Sequence, residues 1–208
     1  MPAVVAALGA LAALAGAEHG IGELTQPSAR TTSVVIESWP HVVAFEPLNS
    51  EPAMTLIPDL RVSGVVTIVV SLALGWWAAR AQARRHDAWV LLGLSVLLLL
   101  VGGGFGPPLL GVLISIGLAR AARTRPTTRP AGKAQRALAG RWRELLVVTV
   151  SSYLALFPGV VLLRWWTGFD STWLSALLPA AAFTALAFTL MAALANDRTA
   201  SPGRRSGG

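Results

Sequence analysis

Cysteine is absent from this 208-residue chain, which excludes a disulfide framework, a thiolate metal cage and a thiol nucleophile. Charge is scarce: 13% of residues are charged against 54% hydrophobic, too little polar surface for a soluble domain. No G-x-S-x-G or H-E-x-x-H string occurs. The glycines of GGGFGPP, residues 102–108, do not make a phosphate loop, since no strand precedes them and no Lys-Ser/Thr pair ends them. With three histidines, two expected outside the membrane and one inside, a haem with paired axial ligands is disfavoured, so no cofactor is indicated.

Long apolar runs are what the chain has instead. They cover 2–17, 62–79, 88–105, 107–122, 145–163 and 172–194. Backbone polar groups in a bilayer must be satisfied internally, so these runs predict a single all-α integral membrane domain, a bundle of about six transmembrane helices. The first run is short and rich in alanine, and Ala15, Gly16 and Ala17 imitate a signal-peptidase site. No basic residue precedes Glu18, so a retained helix is expected. Between the third and fourth runs, GGGFGPP predicts a tight hairpin, with Pro107 and Pro108 opening the next helix. The fourth run is short enough to be either a crossing or a re-entrant arm.

Basic residues sort onto one side of this arrangement. Fourteen of the 17 Lys and Arg residues fall in the turn after the second run, the basic loop 120–143 and the tail 196–208, which is expected to be disordered. The opposite side receives only Arg30, Arg61 and Arg164. Lys and Arg excess marks the cytoplasmic face, so a multi-pass protein of the cell (inner or plasma) membrane with both termini cytoplasmic is expected. Trp76, Trp77, Trp89, Trp142, Trp165, Trp166 and Trp173 fall at segment ends, the headgroup level that indole rings favour. The net charge of +7 is then an attraction to anionic lipid headgroups, carried by Arg84, Arg85, Arg123, Arg125, Arg129, Arg141 and Arg143, and not to nucleic acid.

Small residues recur every fourth position: Gly9, Ala13 and Ala17 in the first run, and Ala181, Ala185, Thr189 and Ala193 in the last. Such faces let helices approach closely in lipid. Ser63, Thr67 and Ser71 continue the pattern in the second run, as a packing stripe or as the wall of a solute path. No ionisable residue is expected near the bilayer midplane, which weighs against a proton- or ion-coupled pump.

The longest outer segment, 18–61, is expected to form a loop or lid between the first two helices, with a short strand or flap in 31–45. Its EHGIGE string places His19 and Glu23 four residues apart with Glu18 adjacent, a spacing that can bind a divalent metal if the first helix continues. Asp59, Glu51, Glu46, Glu37 and His41 are further ligands if the loop folds back. The alternative is that these groups meet headgroups and water.

The strings EHGIGE, EPAMTLIPDL with the following RVSG, and VGGGFGPPLLG together resemble a family of uncharacterised bacterial multi-pass membrane proteins, a likeness that implies no activity. Six spans in so short a chain with a long first outer loop also resemble, in architecture alone, the substrate-binding subunits of energy-coupling-factor vitamin importers. Three functions follow as expectations. The first is a non-enzymatic structural or accessory membrane protein binding lipid, a membrane-protein partner or a second copy of itself. The second is a small-solute binding or transport subunit using Ser63, Thr67 and Ser71. The third is a metal-dependent membrane enzyme using Glu18, His19, Glu23 and Asp59.

Overall fold

The computed structural model describes residues 1–27, 30–31, 33–123, 132–168 and 172–199. Most of them are helical. The first helix, α1 (Pro2–Thr25), opens on a proline in its first turn, where a missing N–H costs nothing. It ends at Gln26, which is extended because Pro27 follows it. The expected boundary at Ala17 is thus too early. EHGIGE belongs to two further helical turns, because its His19, Gly20, Gly22 and Glu23 are buried against other segments and gain nothing by unwinding.

Next come a short strand β1 (Val35–Glu37), a 3₁₀ turn over Val43–Leu48 and a second strand β2 (Pro52–Met54). The strands pair antiparallel, with Val35 opposite Met54 and Glu37 opposite Pro52. Of the described residues in the stretch expected to form a strand or flap, Val35–Glu37 make the strand.

The remaining helices are α2 (Leu60–Arg80), α3 (Arg85–Leu100), α4 (Gly106–Arg123), α5 (Lys133–Gly140), α6 (Trp142–Leu154), α7 (Val160–Thr167) and α8 (Thr172–Thr199). Asp59 caps α2 by accepting hydrogen bonds from the Arg61 and Val62 N–H groups at 2.9 and 3.1 Å. A π-turn over Ala155–Gly159 joins α6 to α7, and Phe157 within it is extended because Pro158 follows. Pro107 and Pro108 sit in the first turn of α4, as their sequence position predicts. Residues 196–199, expected in a disordered tail, continue α8, while 200–208 lie outside the described residues.

Among the described residues, four segments are long and apolar enough to cross a membrane: Pro2–Thr25, Leu60–Arg80, Trp142–Thr167 and Leu177–Thr199. Two of the six expected crossings fall short of that standard. At 16 residues α3 spans roughly 24 Å against a hydrocarbon core of about 30 Å. In α4, two prolines and two arginines dilute the apolar run.

The core is centred on α1, whose Val4, Val5, Leu8 and Ala12 are fully buried among Leu74 and Ala78 of α2, Leu98 of α3, Ile114 of α4 and Leu186 of α8. Helices α1 and α2 run antiparallel at very close range, through Gly9 on Ala78, Ala13 on Gly75, Gly16 on Ser71 and Gly20 on Gly64. A Cβ added at Gly64 would stand 2.6 Å from the Gly20 carbonyl oxygen, so only hydrogen fits there. The opposite faces of the long helices are apolar and exposed, as at Val69, Leu72, Val147 and Leu162, an arrangement suited to lipid. At the far end from EHGIGE, the Met1 ammonium meets Asp197 of α8 at 3.1 Å.

Candidate functional site: a buried Glu–His–Glu cluster

Three strings distant in sequence come together around the outer end of α1. The hairpin ladder continues beyond β1 and β2: the Ser38 N–H donates to the Glu51 carbonyl and the Trp39 N–H to that of Ser50, each at 3.1 Å. Ser38 and Glu51 are therefore cross-strand neighbours, and both reach His19. Ser38 Oγ lies 2.7 Å from His19 Nδ1, and Glu51 Oε2 lies 3.3 Å from His19 Nε2. The Trp39 indole N–H donates to Glu18 Oε1, and its ring stacks on Phe45 with centroids 4.6 Å apart.

The hairpin makes this approach at a conformational cost. Asn49, Ser50 and Glu51 have φ of 54°, 55° and 52°, three successive non-glycine residues in the left-handed region. Each costs on the order of 1 kcal/mol, a strain that persists only where the surroundings enforce it.

Ligand-type atoms of Glu18, His19 and Glu51 lie within 4.8 Å of one another, close to the span of two metal–ligand bonds of about 2.1 Å each. The imidazole is buried, Glu18 Oε2 is buried without a hydrogen-bond donor among the described residues, and the buried Glu51 Oε2 has only the His19 ring beside it. Two facing carboxylates repel unless a cation or a shared proton stands between them. The imidazole suits either condition. With Nε2–H donated to Glu51, the Ser38 hydroxyl donates to Nδ1. With the Nε2 lone pair on a metal, Nδ1–H donates to Ser38, as metal-binding histidines use their second nitrogen.

The loop between α3 and α4 closes the cluster from behind. Gly102 and Gly104, with φ of 114° and 69°, press backbone against the Glu23 carboxyl and the His19 ring, and a side chain at either would overlap them. Thr55 pairs with Val101, and the Leu56 N–H donates to the Leu100 carbonyl at 2.9 Å, tying this loop to the outer hairpin.

A cavity of about 540 Å³ opens beside the cluster. His19, Glu51 and Asn49 line it together with Tyr153 of α6, and apolar lining includes Pro47, Leu48, Phe105, Leu156, Phe157 and Phe183 as well as Pro179. Tyr153 lies within Coulombic range of Glu51 and Glu18.

Of the four residues read as a polar cluster from sequence, Glu18 and His19 take part directly. Glu23 is fully buried beside Ser63 and Gly102, with no donor in hydrogen-bond geometry to either oxygen among the described residues, and it stands apart from the cluster's ligand atoms. Asp59 caps α2 and pairs across a bridge with Arg30, away from the cluster. Glu51 is among the further outer-segment ligands the sequence offers, but the cluster read from sequence has Asp59 in its place. Ser38, Trp39 and Tyr153 carried no sequence signal beyond being polar or aromatic.

The Ser63, Thr67 and Ser71 stripe is fully buried. Ser63 Oγ donates at 2.8 Å to the Val101 carbonyl, the same acceptor that Thr67 Oγ1 uses, so both hydroxyls satisfy one carbonyl at the C-terminal end of α3. Ser71 packs against Gly16, and none of the three lines the cavity. At the opposite end, Arg84, Arg85, Arg123, Arg141 and Arg143 are exposed. Arg125 and Arg129 lie outside the described residues. Comparison with protein-family models, with curated proteins and with solved structures finds no match to this chain.

Proposed function

We propose that this is a metal-dependent membrane enzyme that holds a divalent transition-metal ion between Glu18, His19 and Glu51. The observation that carries the reading is the buried imidazole gathered with two carboxylates, Glu51 against its Nε2 and Glu18 with a buried oxygen that no donor satisfies among the described residues. Buried carboxylates are retained where they are paired or bind metal. Two oxygens and one nitrogen suit zinc, manganese or iron better than a soft cation. Three protein ligands with a cavity beside them leave coordination positions for water or substrate, the arrangement of catalytic metal sites. Such an ion would polarise a substrate oxygen or activate water, with the Tyr153 phenol in the same cavity as a hydrogen-bond donor.

A purely structural role accounts for the glycine contacts between α1 and α2 but leaves the cluster without a purpose. A solute path along Ser63, Thr67 and Ser71 is disfavoured by the use of two of those hydroxyls on Val101. Metal analysis of tag-free protein after exposure to Zn²⁺ or Mn²⁺ tests the proposal. About one equivalent is expected in the wild type and in Asp59→Asn, and under a tenth of that in His19→Ala and Glu51→Gln. A metal-free wild type overturns the reading.

We also infer that α3 and α4 complete six crossings of a bacterial inner membrane, with both termini cytoplasmic and the hairpin of β1 and β2 forming an outer lid. Supporting this are the Met1–Asp197 contact, the grouping of Arg85, Arg120 and Arg123 around one recess, and that of Arg120 and Arg198 around another. Anionic headgroups would then meet the exposed arginines of that face.

A further inference from the structure

We infer that the cavity beside the Glu18–His19–Glu51 cluster accepts an amphiphile, with a metal-ligating polar head and a hydrocarbon chain, in preference to a water-soluble substrate. The inference rests on the metal reading above. Its first support is the uneven division of the cavity wall. Polar groups come from α1, the outer hairpin and Tyr153, while Leu156, Phe157, Pro179 and Phe183 come from the two long apolar segments Trp142–Thr167 and Leu177–Thr199. An apolar chain placed there would exchange one hydrocarbon environment for another while its head stayed at the cluster.

A second support is the state of the backbone at that wall. The segment Trp142–Thr167 is interrupted by the π-turn Ala155–Gly159 at the point where it borders the cavity. A broken helix within a span is tolerated where it lines a cavity or is buried in protein. The interruption also turns Phe157 toward the outer hairpin, where its ring lies 6.3 Å from that of Phe45. Leu154, Leu162 and Leu177 of the same two segments are exposed where lipid chains would lie. On this side the cavity is bounded by one interrupted helix and its neighbour, whose lining residues other than Tyr153 are apolar. The volume, about 540 Å³, is that of a drug-sized ligand and exceeds what a hydrated ion needs.

Two hydroxamates with the same metal-ligating head test this: acetohydroxamate, and dodecanohydroxamate with its long chain. Both are titrated calorimetrically into zinc-loaded full-length protein in the same micelles. The wild type is expected to bind the long-chain compound at least about 100-fold more tightly, since each buried methylene contributes about four-fold. Leu156→Ser combined with Phe183→Ser is expected to cut that ratio to below about 10-fold while zinc stoichiometry is retained. Should that pair fail to fold, Phe105→Ser on the α3–α4 loop reads the same discrimination. An equal ratio in wild type and variants reflects micelle partition and overturns the inference, leaving bound zinc and the metal reading in place. A wild type that takes up no zinc overturns both.

Discussion

His19 Nε2 stands 3.3 Å from Glu51 Oε2, so a helix near the start of the chain and the hairpin after it share one buried polar contact. The pairing commits the outer hairpin to a single register. A slip of one residue would turn Glu51 away from the imidazole and bring a neighbour of Ser38 against it. The cluster is therefore a product of strand register as well as of ligand chemistry.

The first prediction concerns the second nitrogen of His19. Replacing Ser38 with Ala removes the 2.7 Å partner of Nδ1 and should weaken metal affinity by about 10- to 100-fold, read by competition with a chromophoric chelator. An unchanged affinity in folded Ser38→Ala protein would show that this hydroxyl does not orient the ring.

Close packing of α1 on α2 gives the second. Gly64→Val places methyl groups against the Gly20 carbonyl and should destabilise the protein by about 1–3 kcal/mol in detergent unfolding. Gly93→Ala meets no neighbouring atom, and helix propensity alone makes it neutral or slightly stabilising. Equal effects at the two sites are incompatible with a close-packed helix pair.

The third concerns Val101. With Ser63→Ala and Thr67→Val together, both side-chain donors to its carbonyl are lost, and stability should fall by about 1–2 kcal/mol. Ser63→Ala alone leaves Thr67 in place and should cost less than half as much. Additive losses from the two single substitutions would argue against a shared acceptor.

Arg164 of α7 holds Glu46 of the 3₁₀ turn at 2.9 Å, with the Glu46 side chain about half exposed. An exposed pair of this kind contributes under about 1 kcal/mol, so Glu46→Gln should hardly move the unfolding midpoint. Limited proteolysis within 43–52 should nevertheless accelerate, because the contact ties the hairpin to α7. An unaltered cleavage rate would mean that the stacking of Phe45 on Trp39 suffices to hold the segment.

Because the chain lacks cysteine, single introduced thiols report topology directly. Arg84→Cys and Arg123→Cys should react from the same side, and Val43→Cys from the other. Positions 84 and 123 reacting from opposite sides would dismantle the six-crossing arrangement.

Much of the fold could be read in advance because it depends on local pattern. The apolar runs, the paired prolines opening α4 and the small-residue faces of α1 and α2 each act over one or two helical turns. Boundaries were less legible. The expected end of α1 at Ala17 failed because Glu18 looks like the start of a polar loop, yet the residues after it are buried by segments distant in sequence.

Sequence by itself determined that the protein is apolar and helical, that its basic residues cluster in a few segments between the apolar runs and after the last, and that no thiol chemistry is available to it. Those properties are sums over residue types and short-range periodicity, so no partner segment is needed to decide them. Only the tertiary structure chose Glu51 over Asp59 for the cluster, set Ser38 beside Nδ1, moved Asp59 to a helix cap and brought Tyr153 to the cavity. That choice depends on left-handed backbone at 49–51, on the glycine at 104 behind the imidazole and on strand register. Each is a non-local constraint, met only when three separated strings pack against one another.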